Sequence, residues 1–375
     1  MGWDFDMNIS DLLHLMLKQE ASDLFITAGA PPSLKIDGRI IPVKTSALSA
    51  EESRDLAYSI MNDQQRRAFE TDKECNFAIS PIELGRFRVN AFIQQGQVGM
   101  VLRNIKMHIP TFDELYLPQI IGELALKNMG LVLFVGGTGT GKSSSQAAMV
   151  GYRNKHTKGH IITIEDPIEY VHKHDNCIIT QREVGLDTDS FEIALQNAMR
   201  QAPDVIQIGE IRRRETMENA IVFAETGHLC LATLHANNSY QALDRIINFF
   251  PDDRRDQLLM DLSLNLTAII AQRLIPRKDK TGRVPALEVM INTPLMADLI
   301  LRGELQKLHD LIDRSTELGM CTIDQALFKL YREGLITYED ALRNAESVNN
   351  LRIRIKLESG DSRDRLGKSL DGVGF

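Results

Sequence analysis

The chain has 375 residues, enough for two or three domains, and its 43% hydrophobic and 25% charged residues are ordinary for a globular protein. A formal net charge of −8 argues against nucleic acid as the main partner, because proteins that bind duplexes usually carry a basic excess. The four cysteines form no C-x-x-C pair, so neither a zinc module nor a disulfide framework is predicted. An acidic N-terminus and the lack of an apolar run of ~20 residues favour a cytoplasmic protein with no direct membrane insertion.

Residues 1–107 are predicted to form an α+β domain with an antiparallel sheet. A helix is expected over 8–20, where leucines and a methionine recur on one face. The pair Asp37–Gly38 is typical of a hairpin turn between two strands, and the proline-containing residues 108–118 are the predicted linker. The strands of this domain are expected at Asp23–Thr27, at Leu34–Ile36 and Ile40–Val43, at Arg86–Phe92 and at Val98–Ile105.

Residues 119–350 are predicted to form an α/β domain with a helical C-terminal part. Four short apolar runs suit strands that are buried on both faces of a parallel sheet. Helical patterns separate them, one of them behind the expected capping pair Asp189 and Glu192, so a ligand is expected at the carboxyl ends of the strands. The four runs are Leu131–Val135, Ile161–Ile164, Val205–Ile208 and Leu229–Leu234.

Beyond residue 252 the chain is predicted to be helical throughout. Apolar residues over 258–270 suggest one wide helical face, and Thr322 and Thr337 are expected to cap two later helices. The final stretch 351–375 is rich in charge, glycine and serine, which is typical of a disordered tail.

The strand that ends at Val135 leads into a complete match to the phosphate-binding pattern G-x-x-x-x-G-K-[ST]. Its glycines let backbone N–H groups surround a phosphate, Lys142 can reach the β- and γ-phosphate oxygens, and Ser143 can ligate Mg²⁺. The sequence therefore predicts an ATPase that uses ATP and Mg²⁺. The nucleotide-binding residues are expected to be Gly136, Gly137, Thr138, Gly139, Thr140, Gly141, Lys142, Ser143 and Ser144.

Two other buried strands end in acids. Glu165 lies in an Ile-Glu-Asp-Pro stretch, and Glu210 follows Val205–Ile208 and a glycine. An apolar strand that ends in an acid has the general form of a Walker B element, whose carboxylate holds Mg²⁺ or orients the attacking water. Such acids are often merely solvated, and it is the nearby phosphate-binding loop that favours a catalytic role.

His228 and His235 flank the strand Leu229–Leu234. They are seven residues apart and Cys230 adds no ligand at a usual spacing, which disfavours a zinc site. Structural histidines and polar sensors near the γ-phosphate both remain open interpretations.

Arg86, Arg88 and Asn90 share one face of their strand, and Arg103 lies on the next strand. Exposed arginines on a half-buried sheet are usually solvated. Ring-shaped NTPases, however, often need an arginine from outside the P-loop domain to neutralise developing charge.

The order of phosphate-binding loop, Ile-Glu-Asp-Pro stretch, Gly-Glu strand and paired histidines resembles the secretion-type ATPases of type II secretion and type IV pili. The segment Met199–Arg212 resembles their signature, and Arg86–Phe92 resembles the twitching-motility retraction ATPases, PilT and its paralogue PilU. The resemblance implies a hexamer with a PAS-like N-terminal domain and a RecA-like motor domain. It also implies that Glu210 is the catalytic glutamate, that Glu165, His228 and His235 are further catalytic residues, and that Arg88 and Arg103 complete the active site.

Three departures from the family pattern are expected to matter. Gln207 interrupts an apolar strand, Arg213 stands where the signature has an aspartate and so unsettles the ion pairing near Glu210, and residues 295–300 lack the arginine of the PilT element Ala-Ile-Arg-Asn-Leu-Ile. The last departure, together with the charged tail, favours a PilU-type motor that assists a PilT-type partner ring. Because no membrane segment is predicted, such a motor is expected to dock on an inner-membrane pilus platform protein. The alternatives are a pilus-extension or type II secretion ATPase, a nucleic-acid translocase, and an ATP-binding regulatory paralogue with weak turnover.

Overall fold

The computed structural model describes residues 8–36, 38–43 and 46–358. The chain divides into two units. The N-terminal unit contains the chain up to Ile109 together with Ile168–His172 and Gly185–Asp187, and the P-loop unit contains the remainder. No helix within the described ranges is both long and apolar enough to cross a bilayer.

The N-terminal unit is built on a six-stranded antiparallel sheet of order β3-β2-β1-β6-β5-β4. The predicted antiparallel α+β arrangement is confirmed, whereas α2, α3 and β4 were not predicted. Asn8 caps α1 by accepting the N–H of Asp11 at 3.0 Å. The elements are α1 (Ile9–Lys18), β1 (Asp23–Thr27), β2 (Ser33–Ile36), β3 (Arg39–Pro42), α2 (Ala50–Ser59), α3 (Asp63–Asp72), β4 (Glu74–Ile79), β5 (Arg86–Gln94) and β6 (Gln97–Ile105).

The P-loop unit is built on a seven-stranded sheet of order β13-β12-β7-β11-β10-β8-β9, in which β13 alone runs antiparallel to its neighbour. The central strands are buried on both faces, which explains their continuous apolar runs. The elements are α4 (Ile120–Ala125), β7 (Gly130–Val135), α5 (Lys142–His156), β8 (Gly159–Glu165), β9 (Cys177–Glu183), α6 (Phe191–Ala198), β10 (Val205–Ile208), α7 (Arg214–Glu225), β11 (Leu229–Leu234), α8 (Ser239–Ile247), α9 (Arg255–Asn265), β12 (Leu266–Pro276), β13 (Arg283–Ile291), α10 (Pro294–Leu301), α11 (Leu308–Arg314), α12 (Ile323–Arg332), α13 (Tyr338–Asn344) and α14 (Val348–Glu358).

The all-helical prediction beyond residue 252 is wrong, because the chain there contributes strands β12 and β13. Ala268 and Ile270 on β12 pack into the core on one face of the sheet, while Ile269 and Ala271 pack into the core on the other. A run of apolar residues buried on both faces looks alike in a strand and in a buried helix. Residues 258–270, predicted as one helix, therefore form the end of helix α9 and the start of strand β12.

The prediction of a disordered tail from residue 351 is wrong for residues 351–358, which belong to helix α14. Leu351 and Ile355 are buried and lie four residues apart, on one face of that helix. Residues 359–375 lie outside the described residues.

The caps predicted for three helices can be compared with the observed ones. Thr322 and Thr337 accept the N–H groups of Gln325 and Asp340, as predicted. The expected cap Asp189 is wrong, because Ser190 Oγ accepts the N–H of Ile193 at the start of α6.

Candidate functional site

The phosphate-binding loop connects β7 to the 15-residue helix α5. Gly139 and Gly141 have φ values of +75° and +89°, in the left-handed region that favours glycine. A Cβ on Gly141 would lie 2.8 Å from Nε2 of Gln272, so the Gln272 side chain would have to shift to admit one. Thr140 Oγ1 closes the turn by donating to the carbonyl of Gly137 at 2.9 Å.

Lys142 opens helix α5 and reaches back over the loop. Its Nζ donates to the carbonyls of Gly136 (2.9 Å) and Gly137 (2.7 Å). Ser143 and Ser144 follow in the first turn of the same helix, where the leading N–H groups lack intrahelical partners. The structure thus brings an ammonium group, two hydroxyl groups and a helix N-terminus together, which is a chemical environment suited to phosphate.

Gln272 on β12 supports this loop and was not foreseen from the sequence. Its Oε1 accepts from the buried hydroxyl of Ser145 on α5 at 2.8 Å, and its carbonyl oxygen would lie 2.7 Å from a Cβ on Gly136. Gln272 therefore anchors α5 to β12, and its backbone passes close to Gly136 at the start of the loop. Because it lies more than a hundred positions further along the chain, only the position of β12 beside β7 reveals this role.

Glu210 follows strand β10 at the carboxyl edge of the sheet and is held from two sides. Its Oε1 lies 2.8 Å from Nε2 of His235, and its Oε2 accepts from Nε of Arg212 at 2.8 Å. The hydrogen bond and charge of Glu210 raise the pKa of Arg212. The Glu210 side chain is 19% exposed, and these two contacts hold its carboxylate in place. It lies at the same edge of the sheet as the phosphate-binding loop that follows β7.

Glu165 ends the neighbouring strand β8 and is almost fully buried. Its Oε1 accepts from Oγ1 of Thr163 at 2.6 Å and from Nε2 of Gln181 at 3.3 Å. The N–H of Gly209 donates to the carbonyl of Ile164 at 2.8 Å, and a Cβ on Gly209 would lie 3.1 Å from Cα of Glu165. The glycine before Glu210 therefore allows the two acid-bearing strand ends to approach closely.

The two predicted histidines lie at opposite ends of β11. His235 follows the carboxyl end and contacts Glu210, whereas His228 precedes the amino end. Nδ1 of His228 lies 3.2 Å from the carbonyl of Phe223 and 3.1 Å from Oγ1 of Thr226, so it secures the turn after α7. A strand of six residues spans about 20 Å, and the structure therefore does not bring His228 to the Glu210 carboxylate of its own chain.

Two of the three sequence departures, Gln207 and Arg213, lie on either side of Glu210 in the chain. Gln207 is buried in β10, and its Oε1 has no hydrogen-bond partner among the described residues. Arg213 is the N-cap residue of α7 and makes no side-chain cap hydrogen bond. The ion pairing that the sequence left open at Glu210 is made by Arg212.

Arg88 and Arg103 lie directly opposite each other on β5 and β6 of the N-terminal unit. The Nε of Arg103 donates to Oδ1 of Asp23 at 2.7 Å; the Arg103 side chain is 65% exposed, and that of Asp23 is 4% exposed. Phe87 and Val89 point into the core from the other face of β5, as the alternation predicts. The two predicted arginines therefore lie side by side on the sheet, and Arg103 already pairs with Asp23 inside the N-terminal unit.

A glycine-rich loop between a parallel strand and a helix, beside two strands that end in acids, defines a P-loop ATPase with a RecA-like core. Residues 8–303 match the family model of the type II/IV secretion system protein, and the chain belongs to that family. It is 61% identical to the type IV pilus ATPase PilU of Pseudomonas aeruginosa over 98% of this chain and 96% of that protein. It is 40% identical to the pilus retraction ATPase PilT of the same organism, over 92% of this chain and 100% of that protein. The crystal structure of the pilus retraction motor PilT with bound ADP matches with a TM-score of 0.86 and 42% identity, covering 92% of this chain and 99% of that chain.

Proposed function

We propose that this protein hydrolyses Mg-ATP as a ring-shaped motor and powers or assists the retraction of type IV pili from the cytoplasmic side of the inner membrane. The observation that carries the hydrolysis is the carboxylate of Glu210, held by His235 and Arg212 at the edge that also bears the phosphate-binding loop. The similarity to the pilus ATPases PilU and PilT supports the pilus as the machine that it drives.

Six residues of the P-loop unit have a task in this chemistry. Lys142 exchanges its loop carbonyls for the β- and γ-phosphate oxygens, and the N-terminus of α5 adds favourable partial charge. Ser143 would hold Mg²⁺, which when bound neutralises phosphate charge. Glu210 orients the attacking water, while His235 and Arg212 keep its carboxylate in place. Glu165 supplies a second, buried carboxylate beside this water site.

The ring is proposed to be a hexamer with nucleotide at subunit interfaces, where Arg88 and Arg103 of one subunit complete the site of another. A test mixes two inactive variants. Arg103→Ala subunits keep an intact P-loop unit and Lys142→Ala subunits keep the arginines, so their mixture should regain part of the ATPase rate at mixed interfaces. A mixture no more active than either variant would contradict the assignment, as would a monomer by light scattering with Mg-ATP present.

Retraction is tested in a strain without any other retraction ATPase, by counting surface pili and measuring twitching. The assisting role predicts little retraction when this protein acts alone and a partial recovery beside a catalytically inactive PilT-type ring. The same protein carrying Glu210→Gln is the matched control and should give no recovery. Robust retraction without a partner would overturn the assisting role, and loss of pili in place of their accumulation after deletion would favour an extension ATPase.

A second candidate function is an ATP-binding regulatory subunit with weak turnover. It is favoured by Oε1 of Gln207, a buried oxygen just before Glu210 that finds no hydrogen-bond partner in the part of the chain that the structure describes, and by the lack of a side-chain cap on α7 at Arg213. Steady-state phosphate release separates the two candidates, because a motor turns over ATP at rates on the order of 1 s⁻¹ or faster.

A further inference from the structure

Glu288, outside the predicted site, holds the start of helix α8. It lies on β13 and is almost fully buried, and its Oε1 accepts hydrogen bonds from the N–H (2.7 Å) and the hydroxyl (2.6 Å) of Ser239. Burial raises the pKa of Glu288, while the hydrogen bonds from Ser239 act in the opposite direction. Because a buried carboxylate needs such hydrogen bonds, β13 and the first residue of α8 are tied together.

Glu346 lies in the turn between α13 and α14. It holds Asn238, the residue just before Ser239. Its Oε1 accepts from Nδ2 of Asn238 at 3.0 Å and from Nη2 of Arg273 at 3.3 Å, and its side chain is 20% exposed. Asn238 is also the N-cap of α8, since its Oδ1 accepts the N–H of Gln241 at 2.9 Å. Nε2 of His309 lies 3.7 Å from the other oxygen of Glu346. The C-terminal helices therefore reach the first turn of α8 through one carboxylate.

Helix α8 in turn holds the backbone of His235. Nη1 of Arg245, on α8, donates to the carbonyl of His235 at 3.0 Å, and only residues 236–238 separate His235 from the helix. The imidazole of His235 is in direct contact with Glu210. A shift of α8 would therefore move the imidazole relative to the Glu210 carboxylate.

We propose that Glu346 is a positioning residue for the Glu210–His235 pair: together with Glu288 it fixes α8 and thereby sets the placement of the imidazole against the carboxylate. The inference rests on the proposed function, since it takes Glu210 to act in ATP hydrolysis. The hydrogen bonds of Glu346 go to Asn238 and Arg273 rather than to the phosphate-binding loop. Loss of Glu346 should therefore lower kcat and leave KM for ATP nearly unchanged.

The test compares Glu346→Ala with Glu346→Gln and with Glu339→Ala, an exposed glutamate on α13 that serves as the matched control. Misplacement of a catalytic group by about 1 Å can cost ~100-fold, so a partial release of α8 should lower kcat about tenfold in Glu346→Ala. KM for ATP should stay within about twofold. Glu346→Gln keeps an oxygen that accepts from Asn238 and should recover part of the rate, whereas Glu339→Ala should match the wild type.

Asn238→Asp provides an independent route if Glu346→Ala fails to fold. An aspartate preserves the cap but removes the donor to Glu346 and places a second carboxylate beside it. It should lower kcat similarly, and the double variant should lose no more than the stronger single variant. Wild-type kcat in Glu346→Ala or Asn238→Asp, beside an inactive Glu210→Gln, overturns this inference alone. Wild-type turnover by Glu210→Gln overturns the proposed function and the inference with it.

Discussion

Arg213 allows a stability prediction that is independent of the proposed function. It occupies the N-cap of α7 with φ −133° and ψ 160°, the extended backbone of an ordinary cap, yet its side chain makes no cap hydrogen bond. Arg213→Asp should provide that hydrogen bond, worth about 1 kcal/mol, and should replace an unfavourable charge at the helix N-terminus, worth a further ~0.5 kcal/mol. The lost attraction to Glu192 is small, because the charge of Arg213 lowers the pKa of that carboxyl less than its hydrogen bonds do.

The expected gain of about 1.5 kcal/mol corresponds to a rise of roughly 3–6 °C in the melting temperature of a unit of this size. Thermal unfolding followed by circular dichroism measures it, with Arg213→Ala as the control. The alanine variant removes the charge without supplying an acceptor, so it should recover only the smaller part of the gain. A melting temperature of Arg213→Asp no higher than that of Arg213→Ala would refute the capping argument.

Two further predictions concern the loop and the C-terminal helix. Gly141→Ala should weaken ATP binding at least tenfold in a fluorescent-nucleotide titration, because φ +89° costs a residue with a Cβ about 1–2 kcal/mol and Nε2 of Gln272 would also have to move; wild-type affinity would refute the need for glycine. Ile355→Ala should cost about 2–4 kcal/mol in urea unfolding, because Ile355 is 4% exposed. Ile353→Ala is the control, since Ile353 is 56% exposed and its truncation should change stability by less than about 0.5 kcal/mol. Equal effects of the two would contradict the packing of α14.

The parts of the site that lie on single strands were predictable from the sequence. Parallel strands place their carboxyl ends at one edge, so the loop after β7, Glu165 and Glu210 were expected there, and the structure places them there. The separation of the histidines could have been predicted as well. A residue that precedes a strand and one that follows it lie at opposite edges, which places His235 alone at the carboxyl edge, beside Glu210.

The supporting residues were not predictable, because they depend on contacts between distant segments. Gln272, Glu288 and Glu346 lie beyond residue 252, where the sequence predicted only helices, and Glu346 lies just before the predicted tail. Their roles depend on β12 and β13 lying beside β7 and on where the turn after α13 falls. Apolar periodicity does not distinguish a doubly buried strand from a buried helix, and it contains no information on which buried polar side chains meet.

The central claim is that Glu210 catalyses the hydrolysis of ATP held by the phosphate-binding loop. The most direct measurement is steady-state phosphate release by Glu210→Gln beside the wild type, with ATP affinity measured in parallel. The account predicts near wild-type binding, because the loop and Lys142 are untouched, and a fall in kcat of ~100-fold or more, because the group that orients the water has lost its charge. Hydrolysis by Glu210→Gln at the wild-type rate would contradict it.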